Sequence, residues 1–287
     1  MSRATHDGAW HDAQYNNRAR VADSAAYLER WARRSAEARA SQRCELELPY
    51  GEEPGEMLDV FPASDAAGAA PVLVFIHGGY WRALDKRDVS FVAPPFTQAG
   101  ACVVIPNYAL APAVTVPQIT LQMVRAVAWT FHHIARHGGD PRRITVAGHS
   151  AGGQLATMML ACQWTRHDSR LPAQTVRSAL AISALHDLEP IMHTPFLQPS
   201  LHLTPAQVAQ ASPARLPPPG QGTLYTVTGG DESEEYLRQN RLIREAWGAE
   251  RVPVCEELPG LNHFSVLESL VEPGQRLNGL AMQLLRG

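Results

Sequence analysis

The sequence predicts an α/β protein with a mostly parallel central sheet and helices on both faces. Short, continuous apolar runs alternate with longer helical segments along most of the chain. Runs that are apolar throughout are typical of strands covered on both faces, as in a parallel sheet. One such run, Ile144–Ala147, leads through a Gly-x-Ser-x-Gly sequence directly into a helical segment. These observations together favour a layered α/β architecture.

Eight strand-like runs can be identified in chain order. Turn residues separate the first two, which indicates a hairpin-like start, and helical segments separate most of the others. The runs are Cys44–Leu48, Met57–Phe61, Val72–Ile76, Cys102–Ile105, Ile144–Ala147, Ala179–Ser183, Leu224–Thr228 and Val252–Leu258. Helices are expected near residues 86–99, near 117–137 and from the serine turn to about residue 162.

Two segments fall outside this alternation. Residues 9–40 are rich in Ala, Arg and Glu with spaced aromatic residues, which predicts one or two amphipathic helices outside the main sheet. Residues 187–222 are rich in proline, and Thr204-Pro205 predicts one short helix there. This insertion is longer than a sheet connection requires, so it either partly covers the active site as a small helical cap or forms a solvated excursion. With no internal repeat, we expect one domain over residues 1–287.

The bulk composition limits the function classes. Of the 287 residues, 45% are hydrophobic and 18% are charged, and the net charge of −3 offers no basic footprint for nucleic acid or an anionic membrane. No apolar run approaches the roughly 20 residues that span a bilayer, and residues 1–7 lack the apolar core of a signal peptide. We therefore expect a cytoplasmic protein that acts on a small-molecule substrate; a homodimer is left open.

The cysteine and histidine patterns contain no motif that indicates a metal site or another cofactor. The four cysteines are widely spaced and form no CxxC pair, and Cys102 and Cys255 in apolar runs are expected to be buried free thiols. The twelve histidines include no HExxH motif and no Cys/His cluster. We expect neither a metal nor another cofactor.

The pentapeptide Gly148–Gly152, with Ser150 at its centre, points to nucleophilic chemistry. Between a strand and a helix, this pattern places the serine on a sharp turn with its hydroxyl exposed. A serine hydroxyl is a weak nucleophile at neutral pH, so it needs a base to take its proton and a third group to orient that base. In this architecture the chain order is Ser, then Asp or Glu, then His.

His263 is the expected base. It lies in a loop after the last strand, where Gly260 and Asn262 favour a turn, and no other histidine follows His202. His77 precedes the serine, and its chain position argues against its being the base; we expect it to fix its own loop.

The acid should follow the strand before that loop. There the chain places Asp231 and Glu232 side by side, and their spacing does not choose between them. Asp187, after the previous strand, is a third candidate. Other carboxylates in this turn are expected to open the following helix, where negative charge is favourable.

The tetrahedral intermediate of acyl transfer needs N–H donors for its oxyanion. One should be the backbone N–H of Ala151, directly after the nucleophile. The others should come from the loop after the third strand, at Gly78, Gly79 and Tyr80. Glycines let the backbone approach a substrate closely, and each such donor typically contributes about 3–4 kcal/mol to transition-state stabilisation.

The loop His77–Trp81 (His-Gly-Gly-Tyr-Trp) and the segment Gly148–Gly153 together resemble the kynurenine formamidases, or arylformamidases, of the α/β-hydrolase superfamily. The related hormone-sensitive-lipase-like esterases usually carry His-Gly-Gly-Gly, so Tyr80 followed by Trp81 favours the formamidase branch. The resemblance covers roughly residues 44–285. It implies an α/β-hydrolase fold, an acyl-enzyme mechanism and no cofactor.

The resemblance also implies roles for individual residues. The segment from Glu232 to Tyr236 is similar to the family's acid-containing segment, which makes Glu232 the triad acid, although many relatives have Asp there. For an aryl formamide, Tyr80 and Trp81 would either wall the substrate site or pack under the oxyanion loop. His149, beside the nucleophile, is a further candidate for substrate contact, while its place on the turn favours packing.

The predicted function is a serine hydrolase that cleaves a small acyl amide or ester, with aryl formamides of the N-formylkynurenine type as the leading substrate class. A carboxylesterase for short-chain acyl esters is the alternative, and residue types cannot separate the two because both pass through the same acyl-enzyme. A hydrolase-fold protein without activity is disfavoured, because Ser150, Glu232 and His263 are all present.

Overall fold

A single eight-stranded sheet forms the centre of the computed structural model, which describes residues 6–65 and 68–287. The strands are β1 Glu45–Pro49, β2 Met57–Phe61, β3 Ala70–Ile76, β4 Cys102–Pro106, β5 Gly139–His149, β6 Val176–Ile182, β7 Thr223–Gly229 and β8 Val254–Leu258. Their spatial order is β1-β2-β4-β3-β5-β6-β7-β8. β2 is antiparallel to both β1 and β4, whereas all other neighbours are parallel.

The helices connect these strands and flank the sheet. The α-helices are α1 Gly8–Tyr15, α2 Asn17–Arg20, α3 Ser24–Ser41, α4 Ala93–Gln98, α5 Val116–His133, α6 Ala151–Ala161, α7 Trp164–His167, α8 Glu189–Met192, α9 Gln198–Leu201, α10 Pro205–Ala211, α11 Glu234–Arg251, α12 Ser265–Leu270 and α13 Arg276–Arg286. Short 3-10 helices lie at Lys86–Asp88, Ser90–Val92, Ile134–His137 and Pro213–Arg215.

Strand β3 shows why the sheet is buried on both faces. Val72, Val74 and Ile76 point into one apolar core, which α5, α6 and α11 cover. The alternate residues Leu73 and Phe75 point into the opposite core, which α4, α12 and α13 cover. A continuous apolar run therefore supplies both layers at once. The predicted α/β class, with a mostly parallel sheet and helices on both faces, is confirmed.

The two flanking segments contain more helix than the sequence pattern predicted. The N-terminal segment forms three helices instead of one or two, because Asn16 ends α1 and its side chain caps α2 by accepting the N–H of Ala19. The insertion holds α8, α9 and a 3-10 helix besides α10, the one helix predicted there, which the Thr204 capping box opens. Both α8 and α9 carry a proline in their first turn, a position that favours helix initiation.

The cysteine prediction holds in part. All four cysteines are free, and Cys102 in the central strand β4 is buried. Cys255 is only half-buried, contrary to prediction, because β8 is an edge strand of the sheet.

Within the ranges that the structure describes, no helix has the length and apolarity needed to cross a bilayer. Residues 1–5, part of the stretch inspected for a signal peptide, lie outside the described residues.

Candidate active site

Ser150 occupies a strained turn between β5 and α6. Its backbone has φ 58° and ψ −121°, a conformation that costs a non-glycine residue of order 1–3 kcal/mol. Two backbone hydrogen bonds hold it there: the Ser150 N–H donates to the Ile182 carbonyl at 2.8 Å, and the Ser150 carbonyl accepts from the Gly153 N–H at 2.9 Å. The strain is therefore fixed by the neighbouring strand and by the start of α6.

The glycines around Ser150 are required by space. A Cβ atom at Gly148 would lie 2.1 Å from the Gly152 carbonyl oxygen, and one at Gly152 would lie 2.1 Å from the Ile76 carbonyl oxygen. Real Cβ atoms do not approach backbone that closely, so β3, β5 and α6 can meet at this point only without side chains. This packing explains both glycines of the Gly-x-Ser-x-Gly pattern.

His263 lies in the loop between β8 and α12, and Glu232 follows β7. The Nδ1–H of His263 donates to Oε2 of Glu232 at 2.6 Å. The side chain of Asn262 shapes the histidine loop, because its Oδ1 accepts the N–H groups of Phe264 and Ser265 at 2.9 and 3.0 Å. Because β7 and β8 are neighbouring parallel strands, the residues that follow them meet at the same edge of the sheet, where Glu232 and His263 form a carboxylate–imidazole pair.

Glu232 is buried, and several hydrogen-bond donors contact its carboxylate. Its other oxygen, Oε1, accepts the hydroxyls of Ser183 and Thr228 at 2.5 and 2.8 Å and the Gly229 N–H at 2.8 Å. Burial by itself would raise the pKa of this carboxyl, but the charge and hydrogen bond of His263, with the Ser183 and Gly229 donors, together hold the pKa of Glu232 below its usual range. The group is therefore an anion at neutral pH.

The other two candidate acids lie elsewhere. Asp231 is exposed, although it is adjacent to Glu232 in the chain. Asp187 accepts a hydrogen bond from Arg215 of the insertion at 3.0 Å. The structure therefore places Glu232, and neither aspartate, against His263.

The loop after β3 has an unusual backbone. Gly79, Tyr80 and Trp81 have φ values of 94°, 51° and 56°, three consecutive residues in the left-handed region. The N–H groups of Gly79, Tyr80 and Ala151 donate to no backbone carbonyl of the described chain. Unpaired N–H groups beside a candidate nucleophile are what an oxyanion site requires.

Gly78 allows this loop to approach Ser150 closely. A Cβ atom at Gly78 would lie 2.7 Å from the His149 carbonyl oxygen and 3.1 Å from Cβ of Ser150. Its carbonyl accepts the hydroxyl of Tyr108 at 3.0 Å and the Nδ1–H of His77 at 3.0 Å. His77, stacked on Tyr108, therefore fixes the loop, as expected.

Comparison with known protein families identifies the fold independently. A family model described as an alpha/beta hydrolase fold matches residues 73–228, more than half of the 287-residue chain, including the loop after β3 and the serine turn. The chain belongs to the α/β-hydrolase family. The fold that the sequence motifs implied is thereby confirmed, and the protein is an enzyme of the hydrolase class.

Individual relatives of this α/β-hydrolase differ in how much of the chain they match. A kynurenine formamidase of Danio rerio is 29% identical over 254 residues, covering 86% of this chain and 84% of the relative. An esterase of Mycobacterium tuberculosis is 36% identical over 118 residues, covering 39% of this chain and 28% of that protein. The crystal structure of a candidate thioesterase from Silicibacter sp. TM1040 has a TM-score of 0.81 and 30% identity, covering 94% of this chain and 98% of that one.

In this hydrolase, Ser150 and His263 face a pocket of about 610 Å³. Both flanking segments contribute to its walls: Leu28 and Trp31 come from α3, and Phe196 comes from the insertion. The sequence left open whether these segments lie near the site. The aromatic residues of these segments were the only sequence feature that hinted at their position. The residue pattern within one helix does not show which distant part of the protein that helix will pack against.

Trp81 does not lie where the substrate-wall alternative placed it. Its side chain is fully buried, and its indole N–H donates to Oε1 of Gln154 at 3.1 Å. It is not among the lining residues of this pocket in the described chain. The structure therefore places the Trp81 side chain in the protein interior, as the packing alternative describes.

Tyr80 and His149 both line the pocket, but their polar atoms are engaged with the protein. The Nε2–H of His149 donates to the His263 carbonyl at 2.8 Å. Burial, aided by the nearby His263, lowers the pKa of His149 to about 3, so it is neutral and structural at neutral pH. The Tyr80 hydroxyl points away from solvent and donates to the Tyr15 carbonyl at 2.6 Å.

Sequence reasoning missed the contacts of Asn17 and Tyr236, two residues that are linked to each other and to His263. Asn17 donates to the Tyr236 hydroxyl at 3.0 Å, and the Tyr236 ring centroid lies 4.7 Å from that of His263. Tyr236 belongs to the segment that resembles the family's acid segment, so its position was visible but its contacts were not. No sequence signal distinguishes Asn17.

Proposed function

We propose that this hydrolase cleaves aryl formamides of the N-formylkynurenine type through an acyl-enzyme on Ser150. The observation that carries the proposal is the likeness to the kynurenine formamidase of Danio rerio, which covers 86% of the chain and so extends far beyond the catalytic motifs. The site supports it with a serine on a strained turn, a buried carboxylate–imidazole pair and three backbone N–H groups that donate to no backbone carbonyl of the described residues.

In the proposed reaction, the Ser150 hydroxyl oxygen attacks the formyl carbon while Nε2 of His263 takes the hydroxyl proton. Glu232 holds the imidazole by Nδ1 and stabilises the imidazolium that forms. The N–H groups of Gly79, Tyr80 and Ala151 bind the oxyanion of the tetrahedral intermediate. Gly78 has a different role, since its small size and its carbonyl position the loop.

The intermediate collapses when His263 gives its proton to the aryl nitrogen, and the arylamine leaves. His263 then removes a proton from water, which attacks the formyl ester of Ser150. Collapse of the second tetrahedral intermediate returns the proton to Ser150 and releases formate. The same base and the same oxyanion donors therefore serve both half-reactions.

The charge of the pocket favours a substrate with an anionic group. Arg18 and Arg82 are among its lining residues, and no Asp or Glu is among them in the described chain. Guanidinium groups are well suited to bind a carboxylate. We therefore expect N-formylkynurenine, which carries a carboxylate, to be a better substrate than formanilide, which carries none.

A kinetic panel tests the proposal. We expect kcat/KM for N-formylkynurenine and formanilide to exceed that for p-nitrophenyl acetate and butyrate, and Ser150→Ala to abolish turnover of all four. Esters turned over as efficiently as the formamides would instead support the carboxylesterase alternative, which the partial match to the Mycobacterium tuberculosis esterase favours. A cytoplasmic location and a homodimer stay predictions.

A further inference from the structure

The insertion fixes the side chain of Arg82, a half-buried residue that lines the pocket together with Ser150. Nη1 of Arg82 donates to the Phe196 carbonyl and to the Ser200 hydroxyl, both at 3.0 Å. Its guanidinium carbon lies 5.4 Å from the centroid of the Phe196 ring, a cation–π distance. Because this long side chain is already held in place, it loses less conformational entropy when it binds a ligand.

The contacts with the insertion use only one of the three guanidinium nitrogens. A guanidinium has five N–H donors, and both donors on Nη1 are taken. The donors on Nε and Nη2 make no hydrogen bond within the part of the chain that the structure describes, and Arg82 forms no ion pair there. A half-buried positive charge thus lines the pocket with no carboxylate beside it.

The unoccupied Nε–Nη2 edge is the edge that binds carboxylates elsewhere in this protein. Nε and Nη2 of Arg30 donate to the two carboxylate oxygens of Glu268 at 2.7 and 3.2 Å. The same two atoms of Arg238 donate to the two oxygens of Glu235 at 2.7 and 2.8 Å. Paired donors of this kind give a strong and directional contact with a planar anion. Arg82 therefore keeps a complete carboxylate-binding edge available.

Arg18, the other arginine of the pocket, is not organised in this way. Its side chain is exposed, and it has no hydrogen-bond or ion-pair partner among the described residues. A free arginine must give up rotamer freedom to bind an anion. Of the two arginines, Arg82 is the better prepared to hold a carboxylate.

We propose that Arg82 is the specificity-determining residue of this hydrolase and binds a carboxylate of the substrate through Nε and Nη2. The inference rests on the proposed function, which supplies the bond that is cleaved. A formyl group has no room for a second substituent, so the carboxylate belongs to the arylamine that leaves. The substrate class is then an aryl formamide whose arylamine carries a carboxylate. The insertion acts in specificity, because Phe196 and Ser200 hold Arg82.

A matched pair of substrates tests the proposal: N-formylkynurenine and its decarboxylated analogue, in which hydrogen replaces the carboxylate. The ratio of their kcat/KM values isolates the carboxylate, because both substrates use the same catalytic residues and the same oxyanion loop. We expect Arg82→Gln to lower this ratio by roughly 10- to 100-fold, the effect of losing charge-assisted hydrogen bonds. Arg82→Lys keeps the charge without the paired donors, so it should recover only part of the ratio.

Three further variants define the controls. Arg136→Gln is the matched control, since Arg136 also lies over an aromatic ring, at 5.5 Å from that of Trp129, but is not among the pocket residues of the described chain. It should leave the ratio unchanged. Ser200→Ala should lower the ratio by about two- to fivefold in the wild type and have no further effect in Arg82→Gln. An unchanged ratio in Arg82→Gln, or an equal or larger loss in Arg18→Gln, would overturn the proposal.

An ester pair separates failure of this proposal from failure of the proposed function. If neither formamide is cleaved, the proposed function is wrong, and 3-acetoxybenzoate and phenyl acetate then replace the formamides. These esters also differ by one carboxylate on the leaving group, so Arg82→Gln should lower their kcat/KM ratio in the same direction. A ratio that this substitution leaves unchanged would overturn the role of Arg82 by itself.

Discussion

Two neighbouring carboxylates, Asp231 and Glu232, show how the environment of a single residue decides its chemistry. Both follow β7, and they differ by one position in the turn. Glu232 points into the protein, where three donors satisfy one oxygen and His263 satisfies the other. Asp231 points into solvent. A buried anion is tolerated only when it is fully hydrogen-bonded. The ionised state of Glu232 therefore depends on the hydroxyl groups that surround it.

Glu232→Gln should lower kcat by roughly 10³- to 10⁴-fold, because a neutral amide neither stabilises the imidazolium nor selects the Nδ1–H tautomer of His263. Asp231→Asn is the matched control and should change kcat by less than about twofold, as expected for an exposed side chain. Steady-state kinetics with the preferred substrate measures both variants. A large loss in Asp231→Asn with a small one in Glu232→Gln would move the acid to Asp231.

At the scale of elements, hydrogen bonds to three other parts of the protein hold the loop after β3, the proposed oxyanion loop. Its three left-handed residues would be unfavourable in isolation. Tyr80 anchors it to the N-terminal helices, Arg82 donates to the Phe196 carbonyl of the insertion at 3.0 Å, and Trp81 anchors it to α6 through Gln154. Gln154 in turn donates to the Ala211 carbonyl at 2.9 Å. The loop therefore depends on elements remote from it in the chain.

Trp81→Phe should destabilise the fold by about 2–4 kcal/mol, because it leaves a cavity and an unsatisfied buried acceptor on Gln154. Since Trp81 lies under the loop and outside the pocket lining, KM should change by less than about twofold. Urea unfolding and steady-state kinetics report the two effects. Trp164→Phe, a buried tryptophan on the same face of the sheet, controls for the lost ring volume. A tenfold rise in KM without loss of stability would return Trp81 to the substrate wall.

At the scale of the whole molecule, three neutral histidines are built into the interior. Burial lowers the pKa of His77 to about 4, of His149 to about 3 and of His186 to about 4. In the unfolded chain each would have a pKa near 6.5. Below that pH the unfolded state binds more protons than the folded state, so folding stability falls as the pH falls.

The free energy of unfolding should therefore drop by roughly 6 kcal/mol between pH 7 and pH 5, close to 2 kcal/mol for each of the three buried histidines. The contribution of these three histidines to folding stability is fully present above pH 6.5 and is lost progressively toward pH 4. Urea unfolding at a series of pH values measures the slope. His186→Gln should remove about one third of it, whereas His202→Gln, at an exposed position, should leave it unchanged. A slope that does not differ between these variants would contradict the assignment.

The sequence by itself determined the order and type of the main elements, the strained serine turn and the loop that carries His263. These features depend on local patterns: apolar periodicity, turn residues and glycines within a few positions of one another. The spacing of the residues did not choose between Asp231 and Glu232, and only the family resemblance favoured Glu232. The burial of Trp81 and the contacts of Tyr236 were decided only by the tertiary structure. Asn17 and Tyr236 are 219 residues apart, and Tyr15 and Tyr80 are 65 apart. Such contacts depend on how distant segments pack across the sheet, which no local pattern encodes.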